Sequence, residues 1–333
     1  MRELRLSPDD RIIYEEEIKP LLPPRIFDAH SHLLINRFHP RLSETMPIAC
    51  DPMLGDVDLP WLRTWWKALL PDADVGGMIM GFPTADVDIN GENQFVAEAG
   101  READLPFALM VSPDMDPDKL EADIKQLKPA VLKPYMCFVR NTEPSSASVT
   151  DLIPETQLAL ADKHGLAVML HVAKPRGMAD PDNLKGISRL ITAYPNCQFI
   201  LAHCGRCFIT PNMESTLDHL PRADNLWLDT SAVCDLGAFM TLLSRYDRSK
   251  ILFGSDLVTA AAFRGSYARL GMGWHLLTAE MTARKGGTPD RSTFAAYESL
   301  AALCHALKFC ALNEEERCGI FYNNAAKLFN LGK

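Results

Sequence analysis

Short apolar segments alternate along the chain with longer segments in which apolar residues recur every three or four positions. Eight of the short segments are apolar almost throughout, which is typical of parallel strands covered on both faces. They comprise residues 26–29, 75–82, 106–111, 130–134, 166–172, 198–202, 226–229 and 251–254. The helical pattern covers residues 59–70, 92–104, 118–127, 154–164, 183–194, 213–220, 237–246 and 294–311. These eight alternations predict an α/β protein with a (β/α)8 fold, the TIM barrel, and leave a doubly wound open sheet as the alternative.

The connections around the predicted strands refine this picture. No glycine-rich phosphate-binding turn follows the first strand, which makes the open sheet the weaker alternative. We therefore predict a single domain over residues 1–333, with an N-terminal arm at 1–24, a barrel with insertions at 25–312 and a C-terminal helical extension at 313–333. Long connections at 33–58, 136–153 and 257–292 follow strands 1, 4 and 8. Such loops belong to the face where barrel enzymes carry their active sites.

Composition and charge narrow the class of protein. The 47% hydrophobic and 23% charged residues are ordinary for a soluble globular protein. With 34 Lys and Arg against 43 Asp and Glu, the net charge of −9 argues against a nucleic-acid partner and against binding to an anionic membrane. No secretory signal or long apolar span is apparent, and the nine cysteines are scattered. We expect reduced thiols, a cytoplasmic location and a small-molecule partner, and a homo-oligomer is compatible with the sequence.

The strongest chemical signal is the segment Phe-Asp-Ala-His-Ser-His at residues 27–32. Residues two apart on a strand share a face, so His30 and His32 can both project into the barrel mouth. His171, His203 and Asp256 end the fifth, sixth and eighth predicted strands. Polar groups deep in an apolar barrel would be costly, whereas at the carboxyl ends they converge on one cavity. Imidazole and carboxylate groups in one cavity indicate a divalent metal site.

The segments FDAHSH, HV, LAHCG and GSD, in this order, resemble the amidohydrolase superfamily, in its amidohydrolase-related (amidohydrolase 2) branch. The resemblance runs from about residue 26 to 260 and continues weakly through YNNAAKLF. It implies one divalent ion held by His30, His32, His171 and Asp256, while His203 contacts the substrate or acts as an acid or base. Zinc is the first expectation and manganese the second. A second metal is not expected, although Lys133 lies where two-metal members of the family carry a carboxylated lysine. The family also contains members that work without a metal.

The predicted activity is metal-dependent hydrolysis of an ester, lactone or amide bond by metal-activated water. Asp256 would accept the proton of the water, and His203 would polarise the carbonyl or protonate the leaving group. The alternative is a non-oxidative decarboxylase or lyase that uses the same metal site on an aromatic or unsaturated carboxylic acid. A non-catalytic barrel with a structural ion is the third possibility.

Basic residues after several strands predict an anionic, carboxylated substrate. The first charged residues in those connections are Arg37, Lys133, Lys174, Arg206 and Arg264, and Arg140 follows Lys133. Arg206 suits a carboxylate best because its planar guanidinium donates in a fork. Pairing with nearby acids such as Asp182 would instead make these side chains loop staples. Lys133, at the end of the fourth strand, and Tyr135, just past it, are further candidates for substrate binding.

Two more residues near the motif need an interpretation. Asp28 either braces a ligand histidine or satisfies a neighbouring backbone group, and the second role is favoured. His39 lies in the long first connection and is expected to be an exposed loop histidine.

Overall fold

A computed structural model describes residues 4–42, 55–140, 142–262, 264–277 and 292–332. Eight parallel strands form its centre: β1 Arg25–Leu33, β2 Asp74–Gly81, β3 Ala108–Val111, β4 Val131–Pro134, β5 Ala167–Leu170, β6 Gln198–Leu201, β7 Leu226–Asp229 and β8 Ile251–Leu252. Strands β3 to β8 form one six-stranded sheet in sequence order, and β1 pairs with β2 in a second sheet. The strands agree with the eight apolar segments of the sequence.

Shorter contacts join the two sheets on both sides. Ile79 N donates to Pro106 O at 3.2 Å, which connects β2 to the start of β3. On the other side, Ala29 N donates to Phe253 O at 2.8 Å and Asp256 N donates to His30 O at 2.9 Å. The eight strands therefore follow one another around a barrel, as predicted, although the ladder is continuous only from β3 to β8.

Helices follow the strands and cover their outer faces. They are α1 Pro8–Ile13, α2 Leu59–Leu69, α3 Ile89–Ala103, α4 Pro117–Leu127, α5 Glu155–His164, α6 Pro181–Ala193, α7 Thr210–His219, α8 Leu236–Arg245, α9 Ala295–Phe309, α10 Glu314–Cys318 and α11 Asn324–Phe329. Helix α3 begins three residues before the predicted start because Asp88 caps it by accepting from Gly91 N at 3.0 Å. None of the helices described is both long and apolar enough to cross a lipid bilayer.

The two ends of the barrel differ in chemistry. Inward side chains such as Phe27, Met169 and Trp227 form an apolar cluster with Ala325 of α11. The Phe329 ring, just 5.7 Å from that of Phe27, extends the contact with the C-terminal segment. This segment was predicted as one helix, but a π-helical turn at Gly319–Asn323 separates α10 from α11. The apolar end is thus packed, and the buried polar groups are left at the carboxyl ends of the strands.

The connection after β8 folds back as an antiparallel sheet. Strands β9 Arg264–Leu270, β10 Gly273–Leu277 and β11 Thr293–Phe294 lie in the order β10–β9–β11; residues 278–291 lie outside the described part. The N-terminal arm supports this sheet, because buried Asp10 pairs with Arg264 at 2.7 Å.

Asp28 connects β1 to two other parts of the barrel. Its carboxylate, fully buried, accepts from His30 N at 3.1 Å, Ser255 N at 2.8 Å and Trp66 Nε1 at 2.9 Å. The predicted backbone role is therefore observed, and it extends to the turn after β8 and to α2.

We expect Asp28→Ala to lower the free energy of unfolding by about 3 kcal/mol, since each buried donor left without an acceptor costs about 1–3 kcal/mol. Urea denaturation measures the loss. Trp66→Phe, which removes only one of the donors together with part of a large side chain, is the partial comparison. A change below about 0.5 kcal/mol for Asp28→Ala, the range of ordinary surface substitutions, would contradict this account of the carboxylate.

Candidate active site

His30, His32 and Asp256 meet at the carboxyl end of the barrel. A shift in the β1–β2 register between Asp28 and Ser31 accompanies the motif. Both histidines are buried, and their Nε2 atoms lie 3.6 Å and 3.4 Å from Asp256 Oδ1, respectively. The turn after β8 holds the carboxylate there, with Asp256 in the left-handed region at φ 57°. Such backbone strain persists where the surrounding contacts fix it, as the bond from Asp256 N to His30 O does here.

The hydrogen bonds of the imidazoles define which nitrogen is free. His30 Nδ1 donates to Asp229 Oδ2 at 3.0 Å, and His32 Nδ1 donates to Gly81 O at 3.0 Å. Carboxylate and carbonyl oxygens are acceptors only, so a neutral ring at either position carries its proton on Nδ1 and keeps the lone pair of Nε2. This is the form in which a histidine binds a metal.

Asp229 and Ser231 form the support of the site, and the sequence analysis did not single them out. Asp229 Oδ1 accepts from His203 N at 3.1 Å and from Ser231 N at 3.0 Å, while Oδ2 accepts from His30. His203 Nδ1 lies 2.9 Å from Ser231 Oγ and 3.2 Å from Ser231 O. The available signal was the position of Asp229, which ends its strand in LWLD as Asp256 follows its own.

His203 begins a tight left-handed turn after β6. Residues 203–206 all have positive φ values, between 51° and 67°, and the turn aims the His203 ring at the site. Its centroid lies 4.9 Å from that of His30 and 5.1 Å from that of His171. Among the described residues, the group whose potential ligand atoms all lie within 4.8 Å of one another is His30, His203 and Asp256. His203 therefore belongs to the same group of potential ligand atoms as His30 and Asp256, which were predicted to be ligands. His171 lies beside His203.

Burial keeps three of the histidines neutral. It lowers the pKa of His30 to about 4, an effect that Lys133 strengthens and Asp229 opposes. The pKa of His203 is lowered by burial, and that of His171 falls well below its ordinary value through burial and the neighbouring His203. Neutral imidazoles with free lone pairs fit a divalent cation.

The acidic partner is held in its charged form. Burial opposes ionisation of Asp256, but the adjacent imidazole rings of His32, His203 and His30 keep its pKa below the ordinary value. A partly buried carboxylate beside imidazole nitrogens is a donor set that suits zinc and manganese. The chemistry of the donors therefore fits a divalent metal ion.

Lys133 reaches this site from β4. Its side chain is fully buried, and Nζ has no hydrogen-bond partner among the described residues. The centroid of the Tyr135 ring lies 5.3 Å from Nζ. Burial lowers the pKa of Lys133 to about 8, although Asp229 and Asp256 oppose this. An unpaired ammonium in such a position is suited to an anionic substrate group.

Tyr135 lies beside the second histidine of the motif. Its hydroxyl is 3.4 Å from Gly81 O, and its ring centroid is 6.4 Å from that of His32. Burial raises the pKa of Tyr135 well above its ordinary value, so the hydroxyl keeps its proton.

Most of the predicted basic residues serve local structure. Lys174 pairs with Asp182 at 3.1 Å, and Arg264 pairs with Asp10 in the arm. Arg206 Nη1 donates to Val172 O and to Lys174 O, both at 3.2 Å, and so holds the loop after β5. The loop-staple alternative therefore describes Lys174, and substrate binding by Arg206 stays a prediction.

The interpretation of His39 as an exposed histidine was wrong. The residue is only 3% exposed; Nδ1 lies 2.9 Å from Thr84 Oγ1, and Nε2 lies 3.2 Å from Glu92 Oε2. Its loop position gave no sign of this, because Glu92 lies on α3, more than fifty residues further along the chain.

Aromatic rings extend from His203 towards the antiparallel sheet. The Phe208 centroid lies 6.0 Å from that of His203 and 5.3 Å from that of Trp274 in β10. Trp274 in turn stacks on Tyr267 of β9, with 6.4 Å between centroids. One side of the site is thus bordered by flat apolar surfaces.

Comparisons with known proteins agree with the predicted fold and family. The sequence model described as "Amidohydrolase" matches residues 90–331, more than half of the chain. No curated protein matches the sequence.

Among solved structures, a probable 2-pyrone-4,6-dicarboxylic acid hydrolase from Acinetobacter baumannii, with citric acid bound, is similar at a TM-score of 0.56 and 14% identity, covering 92% of this chain and 99% of that one. A 2,6-dihydroxybenzoate decarboxylase from Rhizobium is similar at 0.57 and 13% identity, covering 94% and 100%. A 5-carboxyvanillate decarboxylase from Novosphingobium aromaticivorans, complexed with manganese and 4-hydroxy-3-methoxy-5-nitrobenzoic acid, is similar at 0.57 and 12% identity, covering 99% of both chains.

Proposed function

Since the chain belongs to the amidohydrolase family, we propose that it is a metal-dependent enzyme acting on a small carboxylated substrate at the mouth of its barrel. The observation that carries the proposal is the position of His30 Nε2 and His32 Nε2, which both lie within 3.6 Å of Asp256 Oδ1. The unpaired ammonium of Lys133 beside this group supports an anionic substrate.

We propose that His30, His32 and Asp256 hold one divalent ion, with His171 and His203 next to it. The sequence favours zinc, whereas the manganese in the similar decarboxylase favours manganese. When bound, the ion would act as a Lewis acid towards a substrate oxygen or a water molecule. Asp229 orients the His30 ring and holds the backbone of His203, and Lys133 binds the carboxylate of the substrate.

In the hydrolytic reaction, Asp256 accepts the proton of the attacking water. His203, whose Nε2 keeps a lone pair when Nδ1 donates to Ser231 O, takes this proton from Asp256 and transfers it to the leaving group. Similarity to the pyrone dicarboxylic acid hydrolase supports this assignment.

Decarboxylation is the second candidate, and the aromatic border of the site favours it. Phe208 and Trp274 offer flat surfaces beside His203 for a planar acid. In this reaction Asp256 or His203 would first take a proton from water and then deliver it to the carbon that loses carbon dioxide. The similarity to decarboxylases of aromatic acids supports this candidate.

One experiment separates the two reactions. The metal-loaded protein is incubated in H2¹⁸O with a panel of aromatic acids, lactones and carboxylated esters, and products are analysed by mass spectrometry together with released carbon dioxide. Hydrolysis transfers ¹⁸O to the product carboxylate, whereas decarboxylation releases carbon dioxide with no ¹⁸O in the product. Turnover of the same compounds by Asp256→Asn at the wild-type rate would overturn the proposal.

Lys133→Met is expected to stabilise the protein and to weaken substrate binding. Lys133 is a buried charge without a partner, so an apolar side chain removes its desolvation cost, and a lost charged hydrogen bond to the substrate should raise KM by about 10–100-fold. Thermal unfolding is measured on protein stripped of divalent ions, and KM on the loaded enzyme. An unchanged KM for an active acid would remove Lys133 from the binding site.

A further inference from the structure

One peptide group connects the metal-site histidine His32 to a buried acid outside the site. Gly81 O accepts from His32 Nδ1 at 3.0 Å, and the N–H of Phe82 donates to Glu92 Oε1 at 3.0 Å. The carbonyl of residue 81 and the N–H of residue 82 belong to the same planar amide. Glu92 and His32 therefore bind opposite ends of one dipole.

The close approach of Glu92 depends on the glycine in this peptide. A Cβ at Gly81 would lie 2.6 Å from Met110 Cε and 3.0 Å from Glu92 Cδ, so a larger residue would displace the carboxyl group or the methionine. Glu92 itself is fully buried in the first turn of α3. Burial raises its pKa, which the neighbouring His39 opposes.

The backbone of the neighbouring strand β3 is held by a side chain that carries no charge. The next residue, Asn93, holds the backbone of Met110 in β3 through a neutral amide, with Nδ2 to O and Oδ1 to N both at 2.9 Å. A buried carboxylate is much more costly than a buried amide. The presence of a carboxylate at position 92 therefore indicates an electrostatic role that an amide would not fulfil.

We propose that Glu92 is a positioning residue that acts on His32 through the Gly81–Phe82 amide. The carboxylate polarises the amide, and the Gly81 carbonyl becomes a stronger acceptor for the Nδ1 proton of His32. This fixes the His32 ring with its Nε2 lone pair towards Asp256 and raises the basicity of that nitrogen. His39, whose Nδ1 contacts Thr84, has its Nε2 at 3.2 Å from the other oxygen of Glu92. The inference rests on the metal site proposed above.

The test is the affinity for the metal alone. Apo protein is titrated with Mn²⁺ and with Zn²⁺ against a chelating dye, for wild type, Glu92→Gln and the matched control Asn93→Ala. Glu92→Gln keeps the shape but removes the charge, and we expect its affinity to fall by about 10–100-fold, the usual effect of losing a group that orients a ligand histidine. Asn93→Ala removes the two buried hydrogen bonds between Asn93 and Met110 in β3. Its affinity for the metal should stay within about twofold of the wild-type value, because β3 carries none of the proposed ligands.

The Co²⁺-loaded proteins give a second readout, because the visible spectrum of Co²⁺ depends on its ligands. Glu92→Gln should shift the spectrum and Asn93→Ala should leave it unchanged. Glu92→Asp, which keeps the charge but draws it away from the Phe82 N–H, replaces Glu92→Gln if that variant does not fold, and the same loss is expected.

Wild-type affinity and spectrum in the Glu92 variants would overturn the inference and leave the metal site intact. Equal losses in Glu92→Gln and Asn93→Ala would also overturn it, because the effect would then be general loosening of α3. If the wild-type protein binds neither Mn²⁺ nor Zn²⁺, the proposed function is refuted. The inference about Glu92, which rests on it, is then refuted as well.

Discussion

Asp256→Asn is expected to reduce kcat by about 10³-fold or more, within the range that a positioned acid or base and a lost metal ligand contribute. The substitution keeps the shape of the side chain but removes the charge that lies 3.4 Å from His32 Nε2 and 3.6 Å from His30 Nε2. It also removes the group proposed to accept or deliver the reacting proton. Steady-state kinetics of the metal-loaded variant measure the loss.

The control is an acid of the same kind far from the site. Asp247→Asn removes a side chain that caps a short helix before β8, by accepting from Ser249 N at 2.9 Å. Its kcat should equal that of the wild type. If Asp256→Asn kept more than a tenth of the wild-type kcat while folded, Asp256 would have no role in proton transfer.

Asp229→Asn is expected to lower metal affinity by about 10–100-fold and kcat by at least a similar factor, as for other groups that orient ligand histidines. The carboxylate accepts from the His30 ring, from His203 N and from Ser231 N. An amide could turn its NH2 towards His30 Nδ1, which would move the ring proton to Nε2, where it opposes metal binding.

Ser231→Ala is the comparison that distinguishes the effect of the Asp229 charge from the effect of the neighbouring neutral hydrogen bonds. The hydroxyl contacts both His30 Nδ1 and His203 Nδ1, but it carries no charge. Its removal should cost less than tenfold in kcat, since a neutral hydrogen bond contributes about 1 kcal/mol. Equal losses in the two variants would contradict the assigned role of the Asp229 charge.

The sequence predicts the barrel because its signals are local. Each strand is a short apolar segment, and each candidate ligand follows or ends one of them, so strand order alone brings His30, His32, His203 and Asp256 to one end. Asp229 has the same local signal, but a lone carboxylate at a strand end has no partner in its own segment. Its two histidine partners come from β1 and from the turn after β6, and only the folded barrel reveals them.

Charge pairing in the loops could not be predicted because it joins distant parts of the chain. Arg264 follows the last barrel strand, yet its partner Asp10 lies in the N-terminal arm. His39 was assigned by its loop position, whereas its burial depends on Glu92 and Thr84 from the β2–α3 region. The basic residues of the connections therefore did not all converge on the site, and Lys133 is the one that the structure leaves buried and unpaired within its described residues.

The central claim, a single divalent ion at His30, His32 and Asp256, is tested most directly by metal analysis. Wild-type protein and the His30→Ala/His32→Ala variant are loaded with Mn²⁺ or Zn²⁺, freed of loose ions and analysed by mass spectrometry for metal per chain. The account predicts about one ion per wild-type chain, the occupancy of one catalytic site, and nearly none in the variant. Equal metal content in the two proteins would contradict it.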